Sequence, residues 1–122
     1  MKKKVESLVI KGVEYVPKDS LPEMAIRDGQ DFVLVRSRDS GVHAGYLAEK
    51  NGTEVVLNDS IRIWLWKGAA TLSQLAMDGP KDPGGCKFGV PLPEITVMGA
   101  CEIIPCSDDA RKIIEGVKSW KR

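Results

Sequence analysis

Apolar and polar positions alternate with period two over most of the first half of the chain, the spacing of strands that keep one face in a core. "VESLVIKGVEYVP" alternates on both sides of Lys11-Gly12 and predicts a hairpin of residues 5–10 and 13–16. Gly12 supplies the positive φ that such a turn wants, and Pro17 ends the second strand. Residues 18–30, rich in Pro, Asp and Gly, read as a loop with one helical turn near Met24-Ala25-Ile26. "DFVLVR" predicts a strand over 32–36, "SRDSG" (37–41) its turn, and "VHAGYLAEK" (42–50) the antiparallel return. Asn51-Gly52 is the strongest short hairpin signal in the chain, and "TEVVLND" (53–59) follows as the third strand. "SIRIWLW" is then either its continuation past a bulge or a fourth strand.

After Lys67-Gly68 the period lengthens. Ala69, Leu72, Leu75 and Ala76 recur every three or four residues and predict an amphipathic helix over 69–77, stopped by Gly79-Pro80. "KDPGGCKFGVPLP" (81–93) reads as a long surface loop. "EITVMGACEII" (94–104) is apolar at nearly every position and predicts one final, central strand, closed by Pro105. Ser107 can cap a helix over 107–116, with Asp108 and Asp109 in its first turn and Gly116 at its end. Val117 to Arg122 is a tail carrying Trp120. The class is α+β: an antiparallel β-sheet meander with two short helices and an N-terminal β-hairpin.

A chain of 122 residues suits a single domain over 1–122. Its parts are the hairpin (1–17), a sheet core (32–106) holding helix 69–77, and the helix 107–116. With 43% apolar residues the core is modest, and self-association is a common completion at this size. Formal net charge is +1, from 18 basic and 17 acidic residues, so no global field exists to hold a long nucleic acid. No apolar run long enough for a signal peptide or a membrane span is present. Three cysteines with no Cys-x-x-Cys pair fit a reducing cytoplasm better than a disulfide framework.

Catalytic constellations are poorly supplied. The lone histidine, His43, lies inside a predicted strand, and no nucleophile motif such as G-x-S-x-G accompanies it. Cys86, Cys101, Cys106 and His43 lack the closely spaced pairs of a structural zinc site and read as buried thiols and a hydrogen-bonded histidine. Phosphate loops are absent. No metal, cofactor or enzyme activity is expected.

The distinctive feature is "SIRIWLWKG". With period two, Ile61, Ile63 and Leu65 fall on one side and Arg62, Trp64 and Trp66 on the other. That second side is a further core layer, a subunit interface, or a ligand surface where rings stack on a base and guanidinium groups fork onto phosphate. Phe88, in the Gly/Pro-rich loop, is either a plug pinning that loop to the core or a further stacking ring. Arg36 ends the first meander strand beside the Ser40-Gly41 turn, whose backbone N–H groups can help cradle an anion.

The combination "VRSRDSGVHAGYL", "NGTEVVLNDSIRIWLWKGAATLSQLA", "CKF" and "EIIPC" resembles a group of small phage proteins of the first-described Thoeris anti-defence type. The likeness runs from about Val35 to Cys106, with the Arg-x-Trp-x-Trp-x-Gly-Ala run its most specific segment. The resemblance implies a sponge that binds a cyclic ADP-ribose isomer, and in some members cyclic oligonucleotides, without cleaving it. It also implies a homo-oligomer, dimer or higher, with the pocket between protomers, working in the host cytoplasm. On this chain it carries the strand-end arginine to Arg36, the arginine before Ile-Trp to Arg62, the base-stacking phenylalanine to Phe88 and a C-terminal basic residue to Arg111. The full set of candidate ligand-binding residues is Arg36, Ser40, Gly41, Arg62, Trp64, Phe88 and Arg111. Two departures stand out: Ile61-Arg62 replaces two consecutive arginines, and Met98-Gly99 stands where a polar residue belongs on the last strand. The alternative is an accessory protein acting through a Trp-rich protein–protein interface.

Overall fold

The computed structural model describes residues 8–10, 13–15 and 22–122. Strand β1 (Leu8–Ile10) pairs antiparallel with β2 (Val13–Tyr15), as the alternation predicts; the Lys11-Gly12 turn lies outside the described residues. The remaining strands form one curled antiparallel sheet. Its centre is β4 (Gln30–Ser37), β5 (Gly41–Asn51) and β6 (Glu54–Leu65), a meander with the predicted turns. Short β3 (Ile26–Arg27) pairs with the start of β4, so an extended segment takes the place of the helical turn expected near Met24. Ala25 explains the difference: it is buried, and its backbone bonds both Cys106 and Phe32, which an isolated helical turn could not do.

"SIRIWLW" continues β6 past a bulge rather than starting a new strand. Asp59 holds the irregularity with a φ of 48°, and the partner register jumps between Ala44 and Tyr46. The irregularity reverses the facing of the strand, so Ile61 and Ile63 enter the core on the opposite face of the sheet from Val55 and Leu57.

The segment 94–104 departs from expectation. It is two strands, β8 (Leu92–Val97) and β9 (Ala100–Pro105), reversed at Met98-Gly99. Gly99 has a φ of 71°, a conformation only glycine adopts cheaply. β8 pairs with β6 and β9 with β4, so the two strands form opposite edges of the sheet. A continuous apolar run therefore did not mark a central strand: Val97 points inward while Met98 is exposed in the turn. The loop 81–93 is likewise more ordered than its composition suggests, with a 3-10 turn at Pro83–Gly85 and a two-residue strand β7 (Lys87–Phe88) against the end of β6.

The sheet has a core on each face. Inside the curl, Val33, Val35, Val55, Leu57 and Val97 form the smaller cluster. The other face packs Phe32, Leu34, Ala44, Tyr46, Ile61, Ile63 and Phe88 against α1 (Leu72–Asp78) and α2 (Asp108–Gly116). Each fully buried aliphatic or aromatic side chain contributes about 1.5–3 kcal/mol. Thr71 caps α1 by accepting from the Gln74 N–H. Ser107 caps α2 through Ala110 N–H at 3.0 Å and donates to the Met77 carbonyl at 2.6 Å, tying the end of one helix to the start of the next. Cys86 and Cys106 are buried free thiols, and burial pushes the Cys106 thiol up to about 12; Cys101 is exposed. No helix of the described residues is long and apolar enough to cross a membrane.

Candidate functional site

Alternation along β6 past the bulge sets the site. Ile61 and Ile63 are buried against the helices, so Arg62 and Trp64 must project from the other side, and both are exposed. Trp64 is 67% exposed, far more than a core layer allows. Trp66 is held differently. Beyond the strand it packs onto the helix-side core, and its indole N–H donates to the Ala69 carbonyl at 3.2 Å. Leu65, expected inside, is exposed, because the β6–β7 register slips between Ile63 and Leu65.

Arg62 and Trp64 line an open recess of about 400 Å3 with Asp39, Ser40, Gly41 and Val42, and Ile63 and Trp66 complete its lining. Four of the seven candidate residues (Ser40, Gly41, Arg62, Trp64) thus meet in one place. Gly41 has a φ of 83°, and a Cβ built on it meets nothing within 4 Å, so the turn both needs a glycine and leaves the recess open there. Arg62 forms no salt bridge with another described residue. Its guanidinium remains available to an anion.

Beneath this surface lies His43, directly across from Arg62 and 1% exposed. Its Nε2 is 3.0 Å from the Ser40 hydroxyl. Burial, then the charge of Arg62, push the imidazole below its ordinary range, partly opposed by the bond at Ser40. Nδ1 has no hydrogen-bond partner among the described residues. A Ser–His pair working as base and nucleophile has its base oriented by a third group; the contact at Nε2 holds the Ser40 side chain.

The turn amides do not form the anion cradle the sequence suggested. Asp39 N–H and Ser40 N–H both donate to Ser37 Oγ, at 3.3 and 3.2 Å, and Ser37 in turn donates to the Met98 carbonyl. Inward-facing Ser37 has taken these donors, leaving Arg62 as the cation of the recess.

The other three candidates lie elsewhere. Phe88 pairs across from Ile63, is 1% exposed and sits in the helix-side core; its ring is the plug that anchors loop 81–93 and cannot stack on a guest from that position. Arg36 is exposed at the end of β4, opposite Val42 and Glu102. The register gives it the Ile63 side of the sheet, opposite to Arg62. Arg111, on α2, bonds Asp108 at 2.9 Å and Glu115 at 2.6 Å; both carboxylates hold it charged and spend its donors within the helix. Within one protomer, Arg36, Arg62 and Phe88 do not converge.

Trp120 was missed as a site residue. Its ring stacks on Trp64, with centroids 6.5 Å apart and planes 21° from parallel. Lys87 Nζ lies 5.0 Å from the Trp120 ring centroid. A large aromatic in an otherwise basic six-residue tail was the available signal, of the same kind that singled out Phe88.

Residues 30–114 match the model of a family described as a domain of unknown function, DUF6948. The chain belongs to that family. No curated protein and no solved structure matches it. The DUF6948 segment contains β4, β5, β6 and both helices almost whole, and so the recess itself, but ends before Trp120.

Proposed function

We propose that this DUF6948 protein binds a small anionic ligand with a flat ring, of the cyclic-nucleotide class, and holds it uncleaved. One observation carries the reading: an arginine with no ion pair among the described residues and an exposed tryptophan, two positions apart on β6, line the same recess of about 400 Å3. Ligand pockets for small molecules begin at roughly 300 Å3. A guanidinium supplies charge-assisted bonds to a phosphate, and an indole supplies ~1–3 kcal/mol of stacking with a base. The narrower assignment, a sponge for a cyclic ADP-ribose isomer that silences a host defence in the cytoplasm, draws its support from the resemblance of residues 35–106. In that assignment Arg36 would have to reach the ligand from a second protomer of a homo-oligomer.

The test is to mix the protein with the product of an active TIR-domain enzyme, remove small molecules, and heat. Intact ligand released from the denatured protein is the expected result. Absence of bound ligand defeats the reading. Recovery of a hydrolysed product would instead point to catalysis, with Ser40 and His43 the first residues to substitute.

A second reading has its own support. Trp64 and Leu65 are exposed side by side, with Trp120 against Trp64, and Trp is enriched at the centres of protein interfaces. If that patch serves only a protein partner, Trp64→Ala changes the oligomeric state in light scattering, while a nucleotide panel leaves the melting temperature flat.

A further inference from the structure

The Trp64–Trp120 pair is the one exposed aromatic stack in the described residues, and neither ring uses it to leave water: Trp64 is 67% and Trp120 51% exposed. Two rings that stacked only to bury themselves would cover more of each other. The tail holds Trp120 in place by its backbone. Trp120 N–H donates to the Phe88 carbonyl at 2.8 Å, and Ser119 bridges Phe88 in parallel fashion. Phe88 is itself locked in the core, so the last residues of the chain are strapped to a rigid support, with the indole carried over β6. Each ring also lines an open recess of about 400 Å3: Trp64 the one with Arg62 and Ser40, and Trp120 the one along the start of the tail.

We infer that Trp64 and Trp120 are the two jaws of a clamp for a planar aromatic ring, closed on each other when no ring is present, and that the C-terminal tail is therefore part of the ligand site. This rests on the reading of the Arg62 recess as an anion site and adds the element that receives the base. Non-bonded carbon atoms in contact lie about 3.5–4.0 Å apart, so a guest between two parallel rings needs roughly 7 Å. The rings are 21° from parallel and both side chains are exposed, so rotation of either one about its side-chain bonds can open such a gap. Arg62 lines a recess with Trp64, and Lys87 Nζ lies 5.0 Å from the Trp120 ring centroid, so each jaw has a cation near it for the phosphates of such a guest. The chemical class is thus an aromatic base bearing phosphate, not a bare polyanion and not an apolar peptide.

The experiment titrates the full chain with adenosine 5′-monophosphate and with cyclic ADP-ribose, reading tryptophan fluorescence and calorimetry together. Trp66→Phe serves as the background, removing the third indole while keeping a ring at that edge of the recess. Insertion of the base quenches the emission of both jaws. Trp120→Leu is expected to weaken binding about tenfold, equivalent to ~1.4 kcal/mol, and Trp120→Phe to recover most of it. If Trp120→Leu binds as well as the parent while Arg62→Ala does not, the clamp is overturned and the recess reading survives. If the parent binds neither probe, both fall. If Trp120→Leu changes only the sedimentation of the protein, and not its affinity per protomer, the pair is a contact between copies and the clamp is overturned.

Discussion

Phe88 and Trp64 occupy neighbouring places on the same two strands, and they do opposite things. Phe88 faces Ile63 across the β6–β7 pairing and is sealed in the helix-side core. Trp64, one residue further along β6, points to the other side and stands in water. Both are aromatic residues in conspicuous settings, and on chemistry alone either could stack on a base. What separates them is parity: one step along a strand reverses the face. The comparison teaches that an aromatic available to a ligand is recognised by where the strand's core face lies, and only then by its ring.

The sharpest way to break the comparison is to remove the two rings separately. Phe88→Ala empties a fully enclosed position and leaves loop 81–93 without its anchor. Truncation of a buried Phe costs about 3–5 kcal/mol, a large share of the stability of a domain this size. Urea denaturation should show the midpoint falling steeply, with the recess losing ligand only as the fold is lost. A midpoint near the parent's would mean that Phe88 is not held in the core, and would restore it as a stacking residue.

A smaller effect is expected at the histidine under Arg62. His43 has its folded pKa lowered, chiefly by burial and then by Arg62. The unfolded chain therefore binds a proton more readily than the folded one. The stability this group contributes is complete above its unfolded value of about 6.5 and is lost as pH falls toward the lower folded value. Stability measured from pH 7 to 5 should decline, and His43→Gln should flatten the part due to this ring. Arg62→Ala removes the second of the depressing influences, so an NMR titration should find the His43 pKa moved upward. No movement would place Arg62 too far from the imidazole to share the recess with Ser40.

How much of this was legible in advance follows the same division. Strands β4 to β6 and both helices could be read because their signals are local: alternation, Asn51-Gly52, the three-to-four spacing from Ala69 to Ala76, and the Ser107 cap. Arg62 and Trp64 were found because parity along one strand is also local. The split of 94–104 was hidden because both edge strands carry apolar residues, and only Gly99 marks the reversal. The loss of the turn amides to Ser37 was hidden because it depends on the Met98 turn lying against the β4–β5 turn, across 61 positions of sequence. Trp120 escaped because its ring is positioned by a backbone bond to Phe88, which no periodicity in the tail announces.

Arg111 offers a milder contrast with Arg62. Its pairs with Asp108 and Glu115 lie along one helix face, three and four residues apart. Such partly exposed pairs contribute ~0.3–0.5 kcal/mol each. Arg111→Ala should lower stability by less than ~1 kcal/mol and leave nucleotide affinity unchanged. Arg62→Ala should do the reverse, with stability near the parent's and binding reduced at least tenfold. A loss of affinity in Arg111→Ala equal to that in Arg62→Ala would show that α2 reaches the ligand.

The smallest stability effect belongs to Trp64, and it closes the comparison with Phe88. Its side chain is mostly solvated, and what it touches is another exposed ring. Surface substitutions away from a core usually stay within ±0.5 kcal/mol, and the lost aromatic contact adds roughly as much again. Trp64→Leu should therefore melt within a few degrees of the parent while losing ligand affinity. The quantity to compare is the ratio of the two losses in each variant. For Phe88→Ala, stability falls first and binding follows; for Trp64→Leu, binding falls and stability stays. If both substitutions lower stability to the same extent, the Trp64 side of β6 is a covered surface in solution, and the open recess described for one protomer is closed by another copy of the chain.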